Sequence, residues 1–506
     1  MAAGPQPGYI SLMHETLPFT VESTEDSQSV NQDPAVGNAL ILLWSRDEPE
    51  RAGELALLPA GYAGMNATLG RAEAEGDPSR LELVRQRPGE VHPNGALRSP
   101  RISREQLLIR ALKGGRIRVE NVGRAPLLHN GNVVQDCEIK PGDRLEIQKQ
   151  ALFLVAHRPL TLPRFPAGTA APPPFAFGSP DAWGLVGESP VAWALRERVS
   201  FVAGRAAHVL IRGASGTGKE LVAQAIHRLS PRARGPLVTR NAATIPETLI
   251  DAELFGNARN YPNPGMPDRP GLIGEADGGT LFLDEFAEIP PPMQAHLLRV
   301  LDQGEYHRLG EARTRKADFR LIAATNRPES ALKEDVLARL RIRVEVPDLN
   351  ARREDIPLLT VHLLRRIGKT DPELAARYFP DGNLRHFPRI SIALMSALVA
   401  RNYTTNVREL ESLLWGAMAE GRSDTLDVYE GLNALLAEAG EPEEELEAPE
   451  GPFVDPLTLS PEDIQSCLDK HQGRQEPVWR ELGLSSRHVL TRLVKRYGLN
   501  VRGRTP

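Results

Sequence analysis

The chain lacks most features that mark secreted and membrane proteins. Its 506 residues include only two cysteines, Cys137 and Cys467, too far apart in sequence to suggest a zinc knuckle or a disulfide framework. The longest apolar runs, such as Ala39 to Trp44, are far too short to span a bilayer, and no basic-then-apolar signal pattern opens the sequence. The net charge is only −5, so any contact with a polyanion should be local. We therefore expect a soluble cytoplasmic protein in a reducing compartment, with no membrane partner.

The most informative stretch is the glycine-rich loop that follows the apolar run Val209 to Ile211. It reads G-x-x-x-x-G-K and leads into a helical pattern that begins after Lys219. Glycines let backbone N–H groups point at phosphate oxygens, and the helix N-terminus and the lysine add positive charge. A plain glycine turn is the alternative. The residues predicted to bind ATP are Gly213, Ala214, Ser215, Gly216, Thr217, Gly218, Lys219 and Glu220. Glu220 departs from the pattern, because Ser or Thr usually ligates Mg²⁺ there.

A second motif supports the nucleotide interpretation. The apolar run Thr280 to Leu283 ends in two carboxylates, Asp284 and Glu285. In an NTPase site the first acid holds the Mg²⁺ shell and the second polarises the attacking water. We therefore predict a nucleotide site that uses ATP and Mg²⁺, with Asp284 as the metal residue; a strand merely ending in surface acids is the alternative.

The N-terminal third of the chain has a different pattern of apolar and polar residues. Residues 1–37 are polar and unpatterned, which predicts a disordered tail. Residues 38–158 show short apolar or alternating runs split by Gly, Pro and Asn turns, such as Arg144 to Ile147, and this rhythm predicts a β-sandwich. Residues 159–182 are rich in Pro and Ala and are predicted to form a semi-stiff linker.

The sandwich segment resembles a forkhead-associated (FHA) domain, a reader of phosphothreonine. Gly70-Arg71 and Ser103-Arg104 match two of that family's motifs, although Gln106 replaces its histidine, and Asn130-Gly131 matches its late Asn-Gly. The resemblance implies that a phosphothreonine peptide or a Ser/Thr kinase is a partner. An arginine fork and a serine hydroxyl can bind a phosphate. The predicted phosphopeptide residues are Arg71, Ser103, Arg104 and Asn130. A sandwich that keeps the fold without the site is the alternative.

The remaining chain alternates strands and helices and then becomes helical. Residues 183–347 predict an α/β ATPase core, 348–436 a helical lid and 437–457 an acidic linker. Residues 458–500 predict an all-α helix-turn-helix domain that contacts DNA. The last helix exposes the predicted DNA-binding residues Arg487, His488, Thr491, Arg492, Lys495 and Arg496. A basic, solvated helix in a small bundle is the alternative.

Several ordered motifs from Gly184 to about residue 500 resemble the bacterial enhancer-binding proteins, which are AAA+ activators of sigma-54 RNA polymerase. They include Glu253-Leu-Phe-Gly256 and Asn406-Val-Arg-Glu-Leu410, and the C-terminus is similar to the family's Fis-type helix-turn-helix. The resemblance implies an enhancer-like DNA site and a homo-oligomer, usually a hexameric ring, with catalytic groups supplied in part by the neighbouring subunit. The implied catalytic residues are Asp284, Glu285, Asn241 as a switch, Asn326 as a sensor, Lys333 and Arg339 as fingers, and Arg408 in the lid.

Three departures from the family concern its coupling to polymerase. The family's Gly-Ala-Phe-Thr-Gly-Ala loop, which touches sigma-54, is replaced by the segment from Asn260 to Pro270, with four prolines within nine residues. Prolines stiffen the backbone and remove N–H donors. Lys333 stands where the family places its first finger arginine, and Ala214 stands where it has Glu. Lysine keeps the charge but loses the planar fork.

Three interpretations follow. The leading one is a DNA-bound regulator that responds to phosphorylation, hydrolyses ATP and remodels sigma-54 polymerase. The second is a nucleotide-gated DNA-binding regulator that no longer remodels polymerase. The third is a phosphorylation-gated AAA+ remodeller of another protein.

Overall fold

A computed structural model describes most of the chain in two compact units, residues 1–436 and 437–506. The described residues are 35–58, 66–71, 79–166, 169, 171–433, 460–471, 478, 479, 481, 482, 484, 490, 493, 494 and 497. The predicted N-terminal tail lies almost wholly outside them. No helix among these residues is long and apolar enough to cross a bilayer.

The first part of the larger unit is built from two antiparallel sheets. An eight-stranded sheet has the order β5-β4-β2-β1-β12-β11-β8-β9, and a four-stranded sheet has the order β10-β7-β6-β3. The strands are β1 (Val36–Ser45), β2 (Leu55–Leu57), β3 (Asn66–Leu69), β4 (Val84–Arg87), β5 (Glu90–Pro93), β6 (Leu107–Ala111), β7 (Ile117–Asn121), β8 (Leu127–His129), β9 (Asn132–Val134), β10 (Asp136–Ile139), β11 (Arg144–Ile147) and β12 (Ala151–Pro159). The strand predicted at Arg144 to Ile147 is confirmed as β11.

Alternation along the strands separates the faces of these sheets. In β6 and β7 the buried side chains occupy every second position, as a strand with one covered face requires. Strand β1 is different because it is buried on both faces. Leu40 and Leu42 enter the core between the two sheets, whereas Ile41 and Leu43 join a second core shared with helices later in the chain. The continuous apolar run that begins at Ala39 therefore belongs to a strand covered on both sides.

The central region is a five-stranded parallel sheet of order β14-β15-β18-β13-β19 flanked by helices. Its strands are β13 (Val209–Arg212), β14 (Leu237–Asn241), β15 (Thr280–Asp284), β18 (Arg320–Thr325) and β19 (Ile342–Glu345), and a small hairpin joins β16 (Glu305–Tyr306) to β17 (Arg315–Lys316). Its helices are α1 (Pro190–Ala203), α2 (Lys219–Leu229), α3 (Ile250–Phe255), α4 (Gly271–Glu275), α5 (Pro291–Gln303) and α6 (Glu334–Arg339). The predicted α/β class is confirmed.

The lid that follows includes the helices α7 (Ile356–Thr370), α8 (Pro372–Tyr378), α9 (Ile392–Ala400) and α10 (Asn406–Glu420). The side chains of Asp371 and Ser391 accept backbone N–H groups at the N-termini of α8 and α9, which explains where these helices start. Their apolar faces meet in the core that also takes the outer face of β1.

The proline-rich segment predicted as a linker is packed against its neighbours where it is described. Leu162 is buried, and the ring of Phe175 stacks on Trp193 of α1 with 5.8 Å between centroids. The guanidinium of Arg87 in β4 lies 4.3 Å from the Phe175 ring centroid. Sequence composition missed these contacts, because isolated aromatic residues among prolines carry no periodic signal.

The smaller unit contains α11 (Pro461–Lys470), which Ser460 caps by accepting the N–H of Asp463. Apolar side chains of this unit share one core that includes Ile464, Leu468 and Leu490. All six predicted DNA-binding residues lie outside the described residues, so their placement stays a prediction.

Candidate functional site

The topology of the parallel sheet brings several predicted site residues to one edge. Strand β18 lies between β13 and β15, and all three strands run in the same direction. The glycine-rich loop follows β13, Asp284 ends β15, and Asn326 follows β18. Ligands of open parallel sheets bind at the carboxyl ends of the strands.

The glycine-rich loop has the backbone of an anion cradle. Gly216 and Gly218 have φ values of 77° and 100°, a region that favours glycine. Within the described chain, no protein acceptor is recorded for the backbone N–H groups of residues 214–219. The buried ammonium of Lys219 donates to the carbonyl oxygens of Gly213 at 3.0 Å and Ala214 at 3.3 Å. Backbone donors without a partner and a buried cation fit a phosphate group.

The two predicted acids sit at the end of β15. Asp284 Oδ1 accepts the backbone N–H of Glu285 at 2.9 Å, which fixes the turn that follows the strand. Glu285 itself has a φ of 49°, an uncommon conformation for a non-glycine residue. Such backbone strain clusters at functional sites, where the surrounding structure holds it. The half-buried Asp284 fits a magnesium ligand, and Glu285 stands beside it.

The lid closes directly on the glycine-rich loop. Asn406, which is 1% exposed, donates from Nδ2 to Ser215 O at 2.9 Å and accepts the Leu349 N–H at 2.7 Å. The Val407 N–H bonds to Gly216 O at 3.1 Å, and Arg408 donates to Ser215 Oγ at 3.1 Å. Arg408 therefore lies on the loop, as a lid arginine directed at phosphates requires. Sequence analysis treated Asn406 only as the start of a motif.

Asn241 and Asn326 lie at neighbouring strand ends. The register of β14 and β15 sets Asn241 opposite Asp284, and the Asn241 side chain accepts the Ala243 N–H at 2.9 Å. No hydrogen bond joins Asn241 to Glu285 in the described chain, so its role as a switch stays a prediction. Asn326 is exposed at the same sheet edge.

The two predicted finger residues lie at opposite ends of α6. Lys333 caps the start of the helix, and its backbone N–H bonds to Gln294 at 3.1 Å. Arg339 forms two 3.0 Å hydrogen bonds to the carboxylate of Asp302 in its own chain. The Asp302 carboxylate raises the pKa of Arg339, and the hydrogen bonds from Arg339 lower the pKa of Asp302. An arginine finger acting on a neighbouring subunit would first leave this pair.

The proline-rich loop that replaces the sigma-54-contacting motif is internally hydrogen bonded. Buried Asn257 donates from its side chain to the carbonyl oxygens of Ala258, Tyr261 and Pro267 at 3.0–3.3 Å. Asp268 accepts two hydrogen bonds from Arg308 at 3.0 and 2.8 Å. The Ala258 N–H also bonds to Leu309 O at 2.9 Å, so a backbone hydrogen bond and a charged pair join the loop to the segment between β16 and β17.

On the sandwich, the predicted phosphopeptide motifs converge. The Arg71 N–H bonds to Ser103 O at 3.1 Å, and a Cβ on Gly70 would collide with the backbone oxygen of Arg104. Buried Gln106 accepts the Ser103 N–H at 3.1 Å and donates to Asn121 and to the Ala125 backbone at 2.8 Å. Gln106 therefore ties together the loops that carry the motifs, although it replaces the family's histidine.

An additional arginine belongs to this surface. The Arg124 N–H donates to Ser103 Oγ at 3.0 Å, so its loop lies against Ser103. The guanidinium groups of Arg71, Arg104 and Arg124 are exposed, with no recorded hydrogen bond or ion pair in the part of the chain the structure describes. Sequence analysis missed Arg124 because the family motif around it is not recognisable. The one indication in the sequence was that Arg124 directly follows Gly123, in the stretch where the family motif is expected.

Asn130 differs from the other predicted phosphopeptide residues. Its Nδ2 donates to Asp143 at 2.9 Å and its Oδ1 accepts the Arg144 N–H at 2.9 Å. Both ends of the amide are therefore engaged in joining two turns of the sandwich. Burial raises the pKa of Asp143, but hydrogen bonds from Asn130, from the Lys140 backbone N–H and from His129 lower it below its ordinary value.

The sandwich packs on the lid through a buried interface. Trp44 Nε1 donates to Ile390 O at 3.2 Å, and Arg144 donates to Ser396 O at 2.8 Å. Arg158 contacts both oxygens of Glu354 at 2.6 and 2.7 Å, and its side chain is 2% exposed. Apolar side chains of β1, β12 and the lid form one cluster around these polar contacts. The sandwich and the lid therefore share a core.

The residues present fit a magnesium–nucleotide. The unpaired N–H groups of the loop and Lys219 would hold the phosphates, Asp284 would ligate the metal, and Arg408 would approach from the lid. The bound metal would neutralise charge on the phosphates. Glu220 is exposed at the first turn of α2 and supplies a carboxylate where a hydroxyl is usual.

Comparison with known proteins identifies a matching family model and several relatives. A family model described as the sigma-54 interaction domain matches residues 185–349. The chain is 35% identical over 365 residues to the transcriptional regulatory protein ZraR of Salmonella typhimurium, covering 71% of this chain and 77% of that protein. It is 34% identical over 359 residues to the Nif-specific regulatory protein of Bradyrhizobium diazoefficiens, covering 63% and 61%. A solved structure of NtrX from Brucella abortus in complex with ADP is 32% identical, with a TM-score of 0.44, covering 63% of this chain and 70% of that one.

The parallel sheet, the phosphate loop and the helical lid define the central region as a P-loop domain of the AAA+ class. With the family match and the relatives above, the chain belongs to the family of sigma-54-dependent transcriptional regulators.

Proposed function

We propose that this protein is a DNA-bound transcriptional regulator that binds ATP with Mg²⁺, hydrolyses it as a ring, and reads a phosphothreonine signal through its N-terminal sandwich. The observation that carries the nucleotide part is the closure of the lid on the phosphate loop. Asn406 and Arg408 contact Ser215 of a loop whose N–H groups lack protein acceptors in the described chain.

The residues at this edge supply the chemistry of hydrolysis. Lys219 and the loop backbone hold the phosphates, and Asp284 orders the metal shell. Glu285 would orient and activate the attacking water, and Asn326, at the same sheet edge, would contact the terminal phosphate. Electrostatic positioning of this kind dominates phosphoryl transfer. Arg339, once released from Asp302, would approach the site of the neighbouring subunit, and Lys333 would supply charge without a planar fork.

The phosphothreonine part rests on the sandwich surface around Ser103. The exposed Arg71, Arg104 and Arg124 belong to loops that meet at Ser103, and an arginine fork can bind two phosphate oxygens. The N-terminal tail supplies candidate ligands, since Thr16, Thr20 and Thr24 stand among acidic neighbours. We propose that a kinase phosphorylates one of these threonines and that the sandwich binds it within or between chains.

DNA binding rests on the basic final segment of the sequence and on the relatives, which are transcriptional regulators. An enhancer-like site would place the ring near a promoter. The FHA and Fis-type assignments, the domain boundaries and the hexameric ring are parts of the same proposal.

The decisive experiment is ATP-dependent promoter opening by the purified protein with sigma-54 polymerase on a weak or pre-melted template. Phosphate release is followed in the same tube, and Lys219→Ala protein gives the blank. Opening above that blank supports the full proposal. Hydrolysis without opening would instead favour a remodeller of another target.

A second candidate function is favoured by the proline-rich loop and by Arg339. The loop is fixed by Asn257 and Arg308, and the finger arginine is held by Asp302. Both observations favour a nucleotide-gated DNA-binding regulator that does not remodel polymerase. Intact DNA binding with neither hydrolysis nor opening would select it.

A further inference from the structure

A basic cleft lies between the proline-rich segment and the lid, and it shares no residue with the phosphate loop. Its volume is about 720 Å³, and its basic residues are His362, Arg365, Arg366, Lys369 and Arg385. Gly178 and Pro180 of the proline-rich segment form part of its wall. We use the name basic cleft for this site.

The charge of the cleft follows from the spacing of residues on α7. His362, Arg365, Arg366 and Lys369 are separated by three, one and three positions, which puts them on one face of a helix. Among the residues that the structure describes, no carboxylate lines the cleft. Burial lowers the pKa of His362, and the charges of Arg366, Lys369 and Arg365 lower it further. Like charges at this spacing disfavour the helix unless an anion offsets them.

The basic side chains of the cleft are of two kinds: some are held by neighbouring groups, and others are exposed with their charged ends available. Arg365 is held by hydrogen bonds to the backbone oxygens of Leu384 at 3.0 Å and Arg385 at 3.4 Å, and its guanidinium lies 5.0 Å from the ring centroid of Phe387. Arg366 pairs with Glu411 at 2.6 Å. Lys369 and Arg385 are exposed, with no recorded side-chain partner among the described residues. The cleft therefore has two cations available to a ligand, Lys369 and Arg385, beside the fixed guanidinium of Arg365.

The size and the lining identify the class of ligand. The volume falls within the roughly 300–1,000 Å³ typical of small-molecule sites. Among the described residues no Phe, Tyr or Trp lines the cleft, and His362 contributes the one aromatic ring, so the cleft offers little surface on which a base could stack. Lysine and arginine without carboxylate partners recognise phosphate oxygens.

We propose that the basic cleft binds a small ligand carrying two or more linked phosphate groups, separately from the nucleotide at the phosphate loop. Because its wall includes both the proline-rich segment and α7, a bound ligand would stabilise the packing of that segment on the lid. A ligand that binds only the native arrangement stabilises it in proportion to the logarithm of its concentration over its Kd. The proposal does not depend on ATP hydrolysis or on phosphothreonine binding.

The test uses inorganic pyrophosphate as the probe and full-length protein in calorimetric titration. Pyrophosphate should also enter the phosphate loop and contact the arginines beside Ser103, so protein with Lys219→Ala, Arg71→Ala and Arg124→Ala isolates the cleft, and we expect about one bound pyrophosphate per chain. In the same background, Lys369→Glu with Arg385→Glu should weaken binding by at least about tenfold, since both free cations are reversed. Lys113→Glu, an exposed lysine of the sandwich, is the matched control and should leave binding unchanged.

The outcomes separate the alternatives. Pyrophosphate binding that disappears with Lys219→Ala alone would overturn the proposal, as would binding that survives Lys369→Glu with Arg385→Glu. If pyrophosphate fails to bind but a short duplex DNA loses affinity in the cleft variant, the cleft is a nucleic-acid surface instead. Circular dichroism and thermal melting of each variant exclude misfolding as the cause of lost binding, and Arg385→Gln alone provides a milder variant with an expected intermediate loss.

Discussion

The contact between the lid and the phosphate loop depends on one buried side chain, Asn406. Its Oδ1 accepts the Leu349 N–H at 2.7 Å and its Nδ2 donates to Ser215 O at 2.9 Å, while its backbone has a φ of 54°. In Asn406→Ala both partners lose their hydrogen bond. A buried polar group left without a partner costs about 1–3 kcal/mol. Leu349 is fully buried, whereas Ser215 is partly accessible to water.

We therefore expect Asn406→Ala to weaken lid closure by about 3 kcal/mol, most of it from the Leu349 N–H and the rest from Ser215 and the positive φ. Asn406→Asp keeps an acceptor for Leu349 but removes the donor to Ser215 and sets a buried carboxylate against that carbonyl oxygen, so its effect should be at least as large as that of alanine. Asn406→Gly relieves the backbone but loses both bonds. It should resemble alanine, because hydrogen bonding dominates.

The assay is hydrogen–deuterium exchange of peptides covering the phosphate loop and the start of α10, since local opening can be measured without assuming two-state unfolding. A loss of about 3 kcal/mol corresponds to roughly a hundredfold faster exchange where opening is limiting. Asn132→Ala, an exposed residue of β9, is the control and should not change exchange in these peptides. If Asn406→Ala exchanges like wild type, the lid is not held by this residue and the reasoning fails.

Three further predictions concern the packed interface and the pH response. Trp44→Ala should destabilise the contact between sandwich and lid by about 3–5 kcal/mol, which faster hydrogen–deuterium exchange in β1 and α9 would detect. Trp44→Phe should cost much less, and equal effects of the two substitutions would contradict a role for ring volume. Arg158→Met alone should be strongly destabilising, because it leaves Glu354 buried without its partner. Adding Glu354→Leu should recover much of the lost free energy of unfolding, as measured by chemical denaturation, and additive losses would argue against the pair. Burial lowers the pKa of His208, so acidification below about 6.5 protonates the unfolded chain first and reduces stability. His208→Asn should flatten that part of the pH profile in urea unfolding, and an unchanged slope would assign the effect to other groups.

Much of the central region was predictable from local sequence. The glycine-rich loop and the acidic strand end are short, and each depends on residues that are neighbours in the chain, so their chemistry can be inferred before the fold is known. The sandwich strand at Arg144 to Ile147 was predictable for a related reason, because alternation with period two needs only one covered face.

The contacts that join distant segments were not predictable in the same way. The engagement of Asn130 with Asp143, and the arrival of Arg124 beside Ser103, depend on loops that only the sheet order brings together. Gln106 stands at the position where the family has a histidine. Its amide still supplies a donor and an acceptor where the loops meet, so the changed motif residue keeps a role in joining them.

The sequence by itself determined the classes of the domains, the phosphate loop and the acids beside it, because these rest on periodicity and on residues close together in the chain. Only the tertiary structure decided that Trp44 of β1 reaches Ile390 in the lid, that Arg339 is bound to Asp302, and that the basic residues of α7 face a cleft walled by the proline-rich segment. Pairing between segments that are distant in the chain is set by how sheets and helices stack. That stacking minimises the free energy of the whole chain and leaves no trace in any single stretch of it.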